Sequence, residues 1–265
     1  MALNNPAYTQ NKGFAEPGTL SASDLQAMYD NSPNAVAEAP MTVEGSLMKS
    51  IAMFAFLIVG AVAGWMITSA NPALGSTLMF VSLFVGFGLA MANIFKKQPS
   101  PALMLAYAAV EGLLVGIVSL VYNTAFEGIV LQAVLATFTV VGVTLALFAS
   151  GKIRASARAT KIFMVAMVGY LVFSLINMFL VMFGVIKNPY GVGGVEVFGI
   201  PLGIVIGVLV VIMAAYSLVL DFDFIKNGAA IKIPRQYEWT GAFGVMVTVV
   251  WLYMEILRIL AIARN

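Results

Sequence analysis

The chain of 265 residues contains no histidine and no cysteine. Disulfides, thiol nucleophiles, iron–sulfur clusters and imidazole bases are therefore excluded, as are ordinary zinc and copper sites, because each needs one of these side chains. Charged residues are also scarce, at 10% of the chain, and the net charge of +2 is too small to indicate nucleic-acid binding. The polar chemistry left to this chain belongs to carboxylates, hydroxyls, amides and a few basic groups.

Apolar residues, in contrast, make up 61% of the chain and give it a mean hydropathy of +0.97. Soluble domains are about 45–50% apolar and about 25% charged, so this composition predicts an integral membrane protein. Seven apolar runs approach the length of about 20 residues that a membrane-spanning helix needs. These runs are residues 51–69, 74–94, 102–121, 128–148, 162–183, 202–225 and 241–263. Because the runs are continuous rather than alternating, a β-barrel is disfavoured, and we predict an all-α bundle of seven transmembrane helices.

The segment before the first run, residues 1–49, is polar and is predicted to be a largely disordered tail. Residues 50–265 then form the transmembrane domain. Lysine and arginine concentrate in the loops after the second, fourth and sixth runs, whereas the intervening loops carry at most one basic residue. Since basic loops face the cytosol, we predict a cytosolic N-terminus and an outer C-terminus in a cytoplasmic membrane.

Four acidic residues lie within or near these runs, where an ionised group costs at least about 2.5–3.5 kcal/mol. They are Glu111 in the third run, Asp221 and Asp223 near the end of the sixth, and Glu255 in the seventh, one turn before Arg258. A purely structural interpretation gives Glu111 a hydrogen bond inside the bundle, the aspartates solvation at a helix end, and Glu255 a local ion pair with Arg258. The functional interpretation is a cluster of carboxylates that shares a proton or binds a hard cation such as Ca²⁺. Because Asp221 and Asp223 are about 200° apart around a helix, at most one faces the bundle centre.

Three segments that carry these acids resemble the Bax inhibitor family, the transmembrane Bax-inhibitor-motif (TMBIM) proteins. The segments are residues 106–113 (AYAAVEGL), 217–223 (SLVLDFD) and 251–260 (WLYMEILRIL). Residues 41–44 (MTVE) and 237–239 (YEW) resemble a bacterial branch of that family. The resemblance extends over approximately residues 41–265.

The resemblance implies a seven-helix bundle with a central last helix. It also implies a pH-sensitive calcium leak that is gated by two acids on the last two helices. Carried over by position, these acids are Asp221 or Asp223 together with Glu255, with Asp221 and Glu255 as the candidate Ca²⁺ ligands. Glu111 and Arg258 are secondary candidates, and no resident cofactor is expected. The chain departs from other members by having Glu255 in place of aspartate, and by lacking the basic residue that some members carry in the second helix.

The spacing along the chain separates the two acids of this pair. If the sixth helix ends at residue 225, Asp221 lies about 6 Å from that end, at about 1.5 Å per residue. Glu255 lies about 21 Å from the start of a helix that begins at residue 241. The two would therefore miss each other by roughly 15 Å, unless residues 228–233 continue the sixth helix and move Asp221 toward the membrane centre.

Two other functions remain open beside a pH-sensitive cation leak. One is a proton-coupled secondary transporter, which is disfavoured because the runs show no convincing internal repeat. The other is a non-transporting membrane regulator that binds an unidentified protein through the N-terminal tail. Enzymes are disfavoured, because a rhomboid-type protease needs histidine and an intramembrane aspartyl protease needs a second aspartate where this chain has Glu255. We predict a cation leak whose partners are the lipid bilayer, protons and Ca²⁺.

Overall fold

The computed structural model describes residues 39–265, most of which belong to seven long helices. They are α1 (Val43–Ala70), α2 (Pro72–Phe95), α3 (Pro101–Ala125), α4 (Ile129–Ala149), α5 (Ala157–Met182), α6 (Leu202–Ala230) and α7 (Glu238–Arg264). Each is long and apolar enough to cross a membrane. The predicted all-α bundle of seven spanning helices is therefore confirmed, and the chain is an integral membrane protein. The predicted disorder of the tail concerns mainly residues 1–38, which lie outside the described residues.

Local capping explains where the first two helices begin. The Thr42 hydroxyl accepts a hydrogen bond from the Gly45 amide at 2.9 Å, so α1 begins at Val43, within the segment predicted as tail. Asn71 caps α2 in the same way, and Pro72 occupies the first position of that helix. A proline is tolerated there because the amide it lacks would have no partner inside the helix.

Helix α6 is longer than the sequence predicts. The predicted end at residue 225 is wrong, because Lys226 and Asn227 continue the helix instead of forming a loop. Their side chains are tolerated inside helices at a cost well below that of glycine or proline. The helix ends at Ala230, shortly before Lys232, whose φ of 56° is incompatible with helix continuation.

The connection between α5 and α6 contains short ordered elements. A 3₁₀ turn (Gly191–Gly194) is followed by the two-residue strands β1 (Glu196–Val197) and β2 (Ile200–Pro201), which pair antiparallel. Phe198 and Gly199 form the turn between them, with φ values of 55° and 78°. Positive φ at both turn positions is typical of tight hairpins.

Helix α7 lies at the centre of the bundle. It packs against α1, α3, α4 and α6, and it has more buried residues than any other described helix. Met246, Leu252 and Leu257 on α7 are fully buried. Helix α5, in contrast, has no buried residue and lies at the periphery. The central position expected for the last helix is confirmed.

Helices α1 and α3 approach each other through four glycines. Gly60 and Gly64 on α1 face Gly112 and Gly116 on α3, and each pair is spaced by four residues. A Cβ built on any of them would collide with a backbone carbonyl oxygen of the other helix. Small residues at this spacing allow helix backbones to approach closely in a membrane.

Candidate functional site

The interface between α6 and α7 is formed by one face of each helix, and each of these faces carries an acid. On α6, Gly207, Ala214 and Asp221 follow one another at intervals of seven residues, and on α7 Thr248 and Glu255 have the same spacing. Seven residues make nearly two helical turns, so each set lies on one face of its helix. We call this interface the α6–α7 seam.

Asp221 faces α7 and is hydrogen-bonded there. The Thr248 hydroxyl donates to Asp221 Oδ2 at 2.7 Å, and the Ser217 hydroxyl lies 3.2 Å from that of Thr248. Gly244 leaves room for the carboxylate, because a Cβ there would lie only 2.6 Å from Asp221 Oδ1. Among residues 39–265, no ion pair involves Asp221. The seam therefore contains a carboxylate that has one hydroxyl partner and, among the described residues, no ion-pair partner.

Asp223 lies in a different environment. Its Oδ2 accepts a hydrogen bond at 2.8 Å from Asn227 Nδ2, one turn later on the same helix. Of the two aspartates that the sequence could not separate, Asp221 is the one that contacts α7. This difference in direction follows from their separation of about 200° around α6.

Glu255 is buried, at 4% exposed, but its charge is compensated. Arg258 pairs with both carboxylate oxygens, one of them through Nε at 3.2 Å. The Tyr170 hydroxyl of α5 donates to Oε2 at 3.1 Å. Glu255 also lies against Gly207 of α6, where a Cβ would be 3.1 Å from Oε1. The local ion pair expected from the structural interpretation is therefore present.

Asp221 and Glu255 lie at different heights in the seam. Thr248, the partner of Asp221, precedes Glu255 by seven residues, which corresponds to about 10 Å along the helix. The buried apolar residues Ala214 and Leu252 lie at intermediate positions on the two helices. Although α6 continues to Ala230, the two acids remain offset along the seam. The two carboxylates are not brought together. In two antiparallel helices, the end of the first faces the start of the second, so Asp221 near the end of α6 faces the first half of α7, whereas Glu255 lies in the second half.

The site as described does not have the ligands of a tight metal centre. Within residues 39–265, no group of three or more acidic, histidine or cysteine side chains could hold a metal ion. A Ca²⁺ ion normally takes six to eight oxygen ligands. Any cation held by Asp221 would therefore keep part of its hydration.

Glu111 belongs to the interface between α2 and α3 rather than to the seam. Its Oε2 lies 3.3 Å from the position that a Cβ on Gly86 of α2 would occupy. Tyr107, one turn earlier on α3, packs its ring against Phe243 of α7, with 5.2 Å between the ring centroids. This placement agrees with the structural interpretation, in which Glu111 is held inside the bundle. It does not agree with the functional interpretation, in which Glu111 joins the acids of α6 and α7.

The sequence interpretation missed the hydroxyl partners of the two seam acids. Thr248 could have been found by its spacing, because it precedes Glu255 by seven residues and so shares its helix face. Tyr170 gave no such signal, since it is on α5 and meets Glu255 only in the folded bundle. Glu238, a further buried acid at the start of α7, lies in a segment that supported the family resemblance but received no role.

The sequence matches a known protein family. A sequence model of the family described as Bax inhibitor 1 like matches residues 5–265, nearly the whole chain. None of the curated proteins matches the chain. The matched region includes all seven helices and both acids of the seam.

Proposed function

Because the chain belongs to the Bax inhibitor 1 like family, known generally for membrane channels and regulators and not for enzymes, we propose that it is a pH-sensitive cation leak. Ca²⁺ is the candidate ion. The observation that carries the proposal is the environment of Asp221, a carboxylate on the seam of the last two helices with one hydroxyl partner and no described ion pair. Protonation neutralises this carboxylate, and in its ionised form the carboxylate can bind a passing cation.

The chemistry of the seam suits weak binding of a hard cation. Asp221, Thr248 and Ser217 form a connected set of three oxygen-bearing side chains. Hard cations prefer oxygen ligands, and conduction requires that an ion be held strongly enough to enter and weakly enough to leave. A site with fewer protein oxygens than a full Ca²⁺ shell holds the ion weakly enough for it to leave.

The pH dependence follows from the hydration of Asp221. A charged carboxylate inside a membrane protein needs water or a counter-ion, since its transfer out of water is costly. When Asp221 is ionised, it draws water into the seam and opens it; when Asp221 is protonated, the apolar layer of Ala214 and Leu252 closes. Leak should therefore increase as the pH rises.

Glu255 contributes through its pair with Arg258 and not through repulsion from Asp221. Its charge is compensated, and it lies about 10 Å from the partner of Asp221 along α7. Without Glu255, the Arg258 guanidinium would be an uncompensated positive charge that repels cations entering the seam. Glu255 therefore contributes to gating by neutralising Arg258. We assign the leak to a bacterial cytoplasmic membrane with the N-terminus in the cytosol, on the basis of the loop charges and the resemblance to a bacterial branch.

The test is Ca²⁺ entry into liposomes that contain the purified full chain, measured over a series of pH values. Asp221→Asn should give a low leak that no longer responds to pH. Asp223→Asn is the matched control, because it makes the same change two residues away, where the carboxylate is hydrogen-bonded within α6 and not to α7, and it should behave like the wild type. If Asp221→Asn keeps the wild-type pH profile, the proposal is wrong. Saturable, substrate-dependent proton flux would favour a transporter, and a folded wild type without ion flux would favour a regulator.

A further inference from the structure

Glu238, the first residue of α7, places a carboxylate that is only 1% exposed among four donor groups. Lys49 Nζ of α1 donates to Oε2 at 2.7 Å, and Arg235 Nε lies 3.6 Å from the same oxygen. The amide and the hydroxyl of Thr42 donate to Oε1 at 2.9 and 3.1 Å. Gly45 provides the space, because a Cβ there would collide with the carboxylate. We call this arrangement the Glu238 clasp.

The three residues before α1 lie along the connection between α6 and α7. In this N-terminal strap, residues 40–42, the Met41 amide donates to the Ile233 carbonyl at 2.8 Å. The strap also forms a one-residue antiparallel bridge with Pro234. The Met41 side chain is 2% exposed and packs against Gly228 of α6, where a Cβ would lie 2.9 Å from its sulfur. The strap thus contacts the end of α6, and the clasp contacts the start of α7.

These contacts determine how α7 is positioned along α6. Glu238 precedes Thr248 by ten residues on one continuous helix, so a shift at Glu238 moves Thr248 relative to Asp221. The connection at residues 231–237 is the only covalent link between the two helices, and the strap fixes it on one side. The clasp and the strap thus hold the two ends of this connection, one at the start of α7 and the other at the end of α6.

The charged nature of the clasp indicates more than a structural role. Replacing a buried ion pair by well-packed apolar residues is often neutral or stabilising, so an apolar contact would hold these ends together equally well. A charged clasp differs because its groups can be rehydrated when the helices separate. Of its two cations, Arg235 is the accessible one, since its side chain is 64% exposed, against 17% for Lys49.

We propose that Glu238 is a positioning residue that holds α7 in the register in which the α6–α7 seam is closed. The inference rests on the proposed function, because the seam is where we place the leak. Release of the clasp separates Thr248 from Asp221, admits water to the seam and weakens the response to pH. The clasp acts through Thr248 and Asp221 and does not itself contact the ion.

The first test compares leak in liposomes at the acidic pH at which the wild type is closed. Glu238→Gln and the milder Lys49→Gln should raise it by about tenfold, the factor that corresponds to a loss of about 1.4 kcal/mol of preference for the closed state. Both should flatten the pH profile, whereas Lys49→Arg should restore the wild-type profile. Glu44→Gln is the matched control, because Glu44 is an exposed acid in the first turn of α1. Wild-type leak and pH profile in a folded Glu238→Gln or Lys49→Gln variant would overturn the inference.

A second test does not depend on ion flux. Because the chain has no cysteine, Ser217→Cys introduces a single thiol beside Thr248 in the seam, and a water-soluble maleimide reports its accessibility. Adding Glu238→Gln or Lys49→Gln should speed labelling, and adding Glu44→Gln should not. Faster labelling without Ca²⁺ leak in the wild type would refute the proposed function and leave the positioning role standing. If the wild type shows a pH-dependent leak but neither added substitution speeds labelling, the positioning role alone is refuted. If Glu238→Gln does not fold, the result for Lys49→Gln is decisive.

Discussion

Replacing Gly116 by alanine should destabilise the bundle, whereas the same replacement at Gly142 should stabilise it. A Cβ on Gly116 would collide with the backbone carbonyl oxygen of Ala61 on α1. The obstacle is backbone, so no side-chain rotation can relieve the contact, and α1 and α3 must move apart. At Gly142 on α4, no atom of the other helices in residues 39–265 lies within 4 Å of the corresponding position.

The expected magnitudes follow from two opposing contributions to the free energy of unfolding. Alanine is favoured over glycine inside a helix by about 1 kcal/mol, which should benefit both variants. Overpacking typically costs about 1–3 kcal/mol and occasionally more, and a collision between backbones belongs at the upper end of that range. We therefore expect Gly142→Ala to gain about 0.5–1 kcal/mol and Gly116→Ala to lose about 2 kcal/mol.

The assay is unfolding of the two purified variants and the wild type in the same detergent. The sign of the change in unfolding free energy is the decisive observation, since the two substitutions are chemically identical. Stabilisation of both variants, or equal destabilisation of both, would refute the close backbone contact between α1 and α3.

Two further predictions concern the hydroxyl groups of the site. Thr248→Val keeps the side-chain shape but removes the hydroxyl that donates to Asp221, so Ca²⁺ leak at alkaline pH should fall. Thr248→Ser keeps the hydroxyl and should keep the wild-type leak. Equal leak in both variants would exclude a role for this hydroxyl. Tyr170→Phe removes one hydrogen bond to Glu255 while Arg258 stays paired. It should therefore lower the free energy of unfolding by about 1 kcal/mol. An unchanged free energy of unfolding would mean that this hydrogen bond does not help to hold α5 against α7.

The number and order of the helices could be predicted from the sequence because continuous apolar runs have few alternatives in a membrane. The end of α6 could not, because Lys226 and Asn227 are polar but compatible with a helix, so composition alone indicated a loop. The start of α1 depends on one cap, Thr42, that precedes a weakly apolar turn. Such ends are decided by single hydrogen bonds and not by the hydrophobic pattern.

The candidate site was only partly predictable for a different reason. Its acids are visible in the sequence because charges are rare inside apolar runs, and the pair of Glu255 with Arg258 is visible because it is local. The height of Asp221 relative to Glu255 is visible only approximately, since it depends on where α6 ends and on how the connection at residues 231–237 is held. That connection is fixed by contacts with residues nearly two hundred positions earlier, such as the hydrogen bond from the Met41 amide to the Ile233 carbonyl.

The central claim is that the charge on Asp221 controls the passage of cations along the α6–α7 seam. Its most direct test is the ratio of Ca²⁺ leak at alkaline pH to that at acidic pH, measured side by side for Asp221→Asn and Asp223→Asn. The account predicts a ratio near one for Asp221→Asn and the wild-type ratio for Asp223→Asn. The same ratio in both variants would contradict it.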